Sequence, residues 1–206
     1  HTKIHSNSKN RISITNLNVN QDSNSNYRFT QFSNGNELNR LNIKSRLKEQ
    51  GSDCSLSGIS LTKERHHIDN NIIINHHSPN CMSSQNFRSI LKDRSSGVYN
   101  GRTIVKRAAQ KTNSSQSNKN ILLSDTAKMN SNPQLEIYAD DVKCSHGSTT
   151  GKLNKDAIFY LRSRGLDLKS ARELLLNGFV NDIIEQVKNK DIKYMLKKNI
   201  NIWLNE

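Results

Sequence analysis

Short apolar clusters recur along this chain at intervals of roughly 14 to 17 residues, a repeat short enough to rule out most folds. They are Leu41 with Ile43, Leu56 with Ile59 and Leu61, Ile72 to Ile74, Phe87 with Ile90, Ile104 with Val105, Ile121 to Leu123, and Leu135 with Ile137. Clusters this brief read as strands. The Asn, Ser, Gly and Asp between them favour turns, through side-chain bonds to backbone or through positive φ. Ser95-Ser96-Gly97 and Asn100-Gly101 read as two such turns. Apolar residues make up 33% of the 206, with asparagine abundant in the first 45, and the mean hydropathy is −0.79. Any core is therefore thin and spread out, which excludes a compact bundle or a doubly wound sheet. A sandwich or barrel also spaces its strands regularly, but it shows more hairpin dipeptides and more aromatics than the 5% present here. The pattern favours a β-solenoid, in which each coil buries its inner face on the next and asparagines stack at the corners.

The pattern changes after Gly151. Asn154 is placed to cap a helix from about Lys155, with Ile158, Phe159 and Leu161 on one side and Gly165 to end it. A second helix starts near Asp167. Its apolar stripe is Ala171, Leu174, Leu175, Gly178, Phe179, Ile183, Ile184 and Val187. A third is expected from Asp191 to about Leu204, carrying Met195 and the only tryptophan, Trp203. The expected domains are a β core over residues 1–152 and a helical unit over residues 153–206.

Lys and Arg number 31 against 18 Asp and Glu, a net charge of +13. That charge invites a nucleic-acid or anionic-membrane reading. The basic residues are scattered, the tightest group being Lys188, Lys190, Lys193, Lys197 and Lys198, and aromatics for base stacking are few. No nucleic-acid or membrane partner is expected. Cys54, Cys81 and Cys144 are widely separated and odd in number, so neither a disulfide framework nor a closed zinc site is encoded, and a reducing compartment is expected. No run of 18 apolar residues is present, and a chain opening at His1 with no hydrophobic leader is expected to be a soluble fragment.

Cys144 and His146 lie two apart, so in an extended segment both side chains leave one face, as a shared metal or sulfur ligand set requires. A cluster normally takes four protein ligands, so the remainder would come from a partner chain. The plain alternative is a buried thiol and a hydrogen-bonded strand-end histidine. Alternation from Leu135 and Ile137 would place Cys144 and His146 on the face opposite that apolar pair, but Val142 shares their face, and a corner or bulge between the two stretches would leave the orientation open. Asp140 and Asp141 are adjacent and point apart in a strand, a poor general acid/base pair, which weakens the rival reading of a carbohydrate-active β-helix enzyme. His66-His67 and His76-His77, with Cys81, offer metal-ligand types without a spacing that fixes them together.

The segment Pro133 to Gly151, PQLEIYADDVKCSHGSTTG, resembles the SufB/SufD family of the SUF iron–sulfur cluster assembly system, and within it the SufD branch. Asn100 to Thr112 (NGRTIVKRAAQKT), Phe159 to Leu166 (FYLRSRGL) and Ser170 to Leu174 (SAREL) match in the family's order. Asn34 to Ile43 (NGNELNRLNI) and Gly51 to Leu61 match more loosely. The resemblance implies a right-handed parallel β-helix followed by a small helical C-terminal domain, in a chain about half the family's usual length. It further implies a non-catalytic scaffold that pairs with SufB through the β-helix and docks the ATPase SufC on the C-terminal helices. No cluster would be held stably by this chain alone; one would form transiently at the interface with SufB. Arg162, Arg164 and Gly165 close the first helix, with capping as their plain role. The resemblance makes Cys144 and His146 candidates for the cluster interface, and Phe159, Tyr160, Arg162 and Phe179 candidates for the SufC contact. It places the protein in a bacterial cytoplasm or a plastid stroma. The absence of a G-x-x-x-x-G-K-[ST] run agrees with a subunit that does not itself hydrolyse ATP.

Overall fold

The computed structural model describes residues 1–5, 11–34 and 37–205, so Gly35 and Asn36 of the loosely matching Asn34–Ile43 stretch lie outside the described residues. Eleven strands precede three helices: β1 (Thr2–His5), β2 (Ile12–Gln21), β3 (Asn26–Asn34), β4 (Leu38–Leu47), β5 (Asp53–Thr62), β6 (His67–His76), β7 (Met82–Leu91), β8 (Ser96–Val105), β9 (Asn113–Leu122), β10 (Lys128–Ile137) and β11 (Lys143–Gly151), then α1 (Lys155–Ser163), α2 (Leu168–Gln186) and α3 (Lys190–Asn205). Odd strands form one parallel sheet, in the order β1-β3-β5-β7-β9-β11, and even strands the other, in the order β10-β8-β6-β4-β2. The result is a β-solenoid of about five turns. Each turn holds two strands, so the sequence beat marks half a coil.

Each apolar cluster of the beat lies on a strand, except that Leu123 falls just past the end of β9. Inner faces carry Leu41, Ile43, Leu56, Ile72, Ile74 and Phe87, all essentially inaccessible to solvent. Asparagine stacks as expected, but mostly not at corners. Asn16, Asn42, Asn71, Asn100 and Asn132 are in register on the outer face of the even sheet. Asn42 Nδ2 donates to Asn16 Oδ1 (2.8 Å) and Asn132 Nδ2 to Asn100 Oδ1 (3.1 Å). A parallel in-register stack repeats the same amide every coil, so each donor meets the next acceptor.

The two turns expected at Ser95–Gly97 and Asn100-Gly101 are corrected: both dipeptide signals run into β8, with only Ser95 outside it. Asn100 is a rung of the outer ladder. Gly101 faces inward, where an added Cβ would meet Gln116 Nε2 and the Tyr99 ring and hydroxyl. Six of the actual corners each hold one left-handed residue. Asn24, Gly51, Asn80 and Lys111 stand at successive corners on one side, and Glu64 and Asp93 on the other, with φ from 55° to 72°. Backbone bonds link each corner to the next: Asn24 N–H donates to Gln50 O, Asn80 N–H to Gln110 O and Arg94 N–H to Glu64 O, each at 2.9 Å.

All three helices form, the first two with the expected caps. Asn154 Oδ1 accepts from Asp156 and Ala157 N–H (2.8 and 3.0 Å), Asp167 Oδ1 accepts from Ser170 N–H (2.8 Å), and Gly165 is left-handed at φ 94°. The stripe on α2 differs from expectation. Leu176 and Val180 are buried while Leu174 is 52% exposed, because α2 packs against both α3 and the solenoid. With Leu196, Ile200 and Trp203 of α3, it covers the outer-face residues Phe32, Ile59, Leu61 and Ile90 of the odd sheet. This shared cluster explains why Ile59 and Leu61 are apolar although they point away from the solenoid interior. No helix among the described residues is long and apolar enough to cross a membrane.

Candidate functional site at the open end of the solenoid

Cys144 and His146 lie on β11, the last strand of the odd sheet. Parallel in-register pairing sets their orientation. Cys144 is opposite Ser114 and His146 opposite Gln116, both buried and facing inward. The phase that alternation left open is settled by the corner Tyr138–Val142, which separates β10 from β11. Leu135 and Ile137 also face inward, opposite Thr103 and Val105. Thiol, imidazole and apolar pair therefore look into the same terminal opening from its two walls.

No further coil covers this opening in the described residues. β11 pairs only with β9, and β10 only with β8. Burial falls accordingly: Cys144 is half-buried, His146 is exposed and Ile137 is 41% exposed. Ser148 closes the far end by donating to Ser131 Oγ across the two sheets (2.7 Å). Burial pushes the Cys144 thiol above its ordinary value, with backbone at Ser114 pulling the other way. The free thiol is thus held protonated at neutral pH, and a metal or sulfur species would have to displace its proton.

Beneath these residues lies a polar interior that sequence reasoning missed. Gln116 Nε2 donates to Tyr99 Oη (3.2 Å), Tyr99 Oη to Gln85 Oε1 (3.0 Å) and Gln85 Nε2 to Thr103 Oγ1 (3.1 Å). A second row joins His76 Nε2 to Ser83 Oγ (2.8 Å) and Ser83 to Ser114 (2.9 Å), ending one register step from Cys144. The signal was a spacing of about one coil between Gln85, Gln116 and His146, and between Ser83, Ser114 and Cys144.

The histidine doublets are not brought together. His67 faces outward and bonds Ser96 Oγ (2.7 Å), whereas His76 is fully buried, its pKa lowered to about 4 by burial and by His77. Among the described residues no group of three or more His, Cys, Asp or Glu is arranged to hold a metal. Asp141 is a corner residue. It forms an ion pair with Lys111 and its carbonyl accepts from Lys111 N–H (2.7 Å). Phe159, Tyr160 and Arg162 are exposed on α1, the first two at 74% and 57%. The Arg164 guanidinium stacks over the Tyr160 ring at 5.4 Å. Phe179 sits apart from them, half-buried against the solenoid under the Arg88 guanidinium at 5.2 Å.

Comparison with known proteins identifies the family. An iron-sulfur cluster assembly SufBD family protein of Synechocystis is 34% identical over 178 residues, 86% of this chain and 39% of that protein. SufD of Escherichia coli is 32% identical over 166 residues, 81% of this chain and 39% of that protein. The chloroplastic protein ABCI7 of Arabidopsis thaliana is 33% identical over 187 residues, 88% of this chain and 38% of that protein. The chain thus spans about two fifths of the length of these relatives. Residues 1–179 match the SufBD core domain of the SUF system for FeS cluster assembly, and the chain belongs to that family as a SufD-like member.

Proposed function

We propose that this chain is part of a non-catalytic scaffold subunit of the SUF machinery, which pairs with SufB at the open end of the solenoid and carries the ATPase SufC on its C-terminal helices. One observation carries the reading: two soft-metal ligand types share the inward face of an edge strand that has no neighbour on its outer side among the described residues. An edge strand offers unpaired backbone groups to a second chain, and a partner seated there would bring further ligands over Cys144 and His146. The nascent iron–sulfur cluster is cargo at that seam, completed by ligands from both chains because one thiol and one imidazole are too few. Exposed Phe159, Tyr160 and Arg162 on α1 offer a SufC contact, whereas Phe179 supports the docking of α2 on the solenoid. Relatives in Escherichia coli and in a chloroplast fit a bacterial cytoplasm or a plastid stroma.

The test is co-purification of the full-length protein with SufB and SufC, followed by cluster assembly. His146→Ala is expected to keep the complex and lose assembly. Unimpaired assembly in that variant would remove His146 from the site.

A further inference from the structure

Where the last coil meets the helices, a cleft of about 370 Å³ opens between the end of β9, the segment leading into α1, and facing sides of α2 and α3. Leu122, Leu153, Ile158, Leu176 and Trp203 give it an apolar floor. Its rim carries five cationic side chains, Lys92, Lys152, Lys155, Lys169 and Arg172, against one carboxylate, Glu173. Lys92 Nζ stands 4.5 Å over the Trp203 ring and donates to Trp203 O (3.3 Å). Lys152 pairs with the exposed Asp125. Glu173, whose Oε1 is buried without a hydrogen bond, lies 3.8 Å from Lys169 and offsets one charge. Arg172 and Lys155 have no ion-pair partner among the described residues, so the rim stays strongly positive.

Trp203 supplies an independent observation. Its side chain is fully buried, yet the indole N–H has no hydrogen-bond partner. Buried N–H donors are nearly always paired, so this residue of the cleft wall keeps an unmet donor. An inorganic anion would leave the apolar floor bare, and a neutral hydrophobe would leave the rim uncompensated. We infer that this cleft binds a small amphiphilic anion, with a carboxylate or phosphate head on the cationic rim and an apolar group against Trp203 and its neighbouring leucines.

Trp203 is the only tryptophan of the chain, so its emission reports on the cleft directly. Hexyl phosphate and hexanoate are titrated separately, with inorganic phosphate and hexylammonium as controls and calorimetry as a second readout. At least one of the two amphiphilic anions is expected to give a saturable response that weakens with salt, and the tighter one identifies the head group. Inorganic phosphate is expected to bind more weakly and hexylammonium not at all. Replacing both free cations, Lys155→Glu with Arg172→Glu, should weaken binding about tenfold or more while the far-UV circular dichroism is unchanged. No saturable response by either readout, an equal response to hexylammonium, or binding indifferent to the double variant each overturns the assignment.

Discussion

The middle coils and the last coil of the solenoid are built on the same register and differ in what they do with it. At one inner position the stack reads Leu56, Gln85, Gln116, His146, and at the next Gly58, Phe87, Asn118, Ser148. The early members are buried apolar groups; the late ones are amides and hydroxyls that must be hydrogen-bonded, and the final ones are exposed. Stability therefore belongs to the covered coils, whose stacked neighbours remove apolar surface from water on both sides. The terminal coil gives up that stabilisation and keeps an accessible thiol, imidazole and edge.

The largest expected effect falls in the covered coils. Leu56→Ala should cost about 2–5 kcal/mol in denaturant unfolding by opening a cavity, whereas Ile137→Ala, at the open end, should cost less than about 1 kcal/mol. Similar losses at both positions would break the comparison. Next comes a pH effect from His76. Its folded pKa is lowered from 6.5 to about 4, chiefly by burial. The unfolded chain therefore takes up the proton first as pH falls, and stability present above about pH 6.5 is lost towards pH 4. The full loss is on the order of 3 kcal/mol, and His76→Leu should flatten the profile.

A paired glycine substitution sharpens the contrast at smaller scale. Gly101→Ala forces a Cβ against Gln116 and Tyr99 and should cost about 1–3 kcal/mol, while Gly147→Ala meets nothing within 4 Å and should stay within about 0.5 kcal/mol. Thermal melts of the two variants would read the difference directly.

Legibility in the sequence followed the same division. Clusters such as Leu41-Ile43 and Ile72–Ile74 announced the covered coils because apolar side chains must face inward there. β2, with the sequence ISITNLNVNQ, stands outside the beat because its apolar residues split between the faces, Leu17 and Val19 inward and Ile12 and Ile14 outward beside the asparagine ladder. Asn100-Gly101 looked like a turn because its two residues answer separate demands, one a ladder rung and the other interior space. Real corners at Glu64 and Lys111 use residues with little turn preference, held left-handed by the bonds of neighbouring coils. The ligand types Cys144 and His146 and their common face were legible from spacing. Their inward direction was not, because the corner at residues 138–142 resets the alternation and only pairing with Ser114 and Gln116 restores it.

The proposed function requires SufB to join at the open end formed by β10 and β11. Hydrogen–deuterium exchange of the full-length protein, with and without SufB, tests it most directly. New protection is expected across Lys128–Ile137 and Lys143–Gly151 on SufB addition, with β5 and β6 unchanged because they are already covered on both sides. Protection confined to other strands, or none at β10 and β11 in a complex that demonstrably forms, would contradict it.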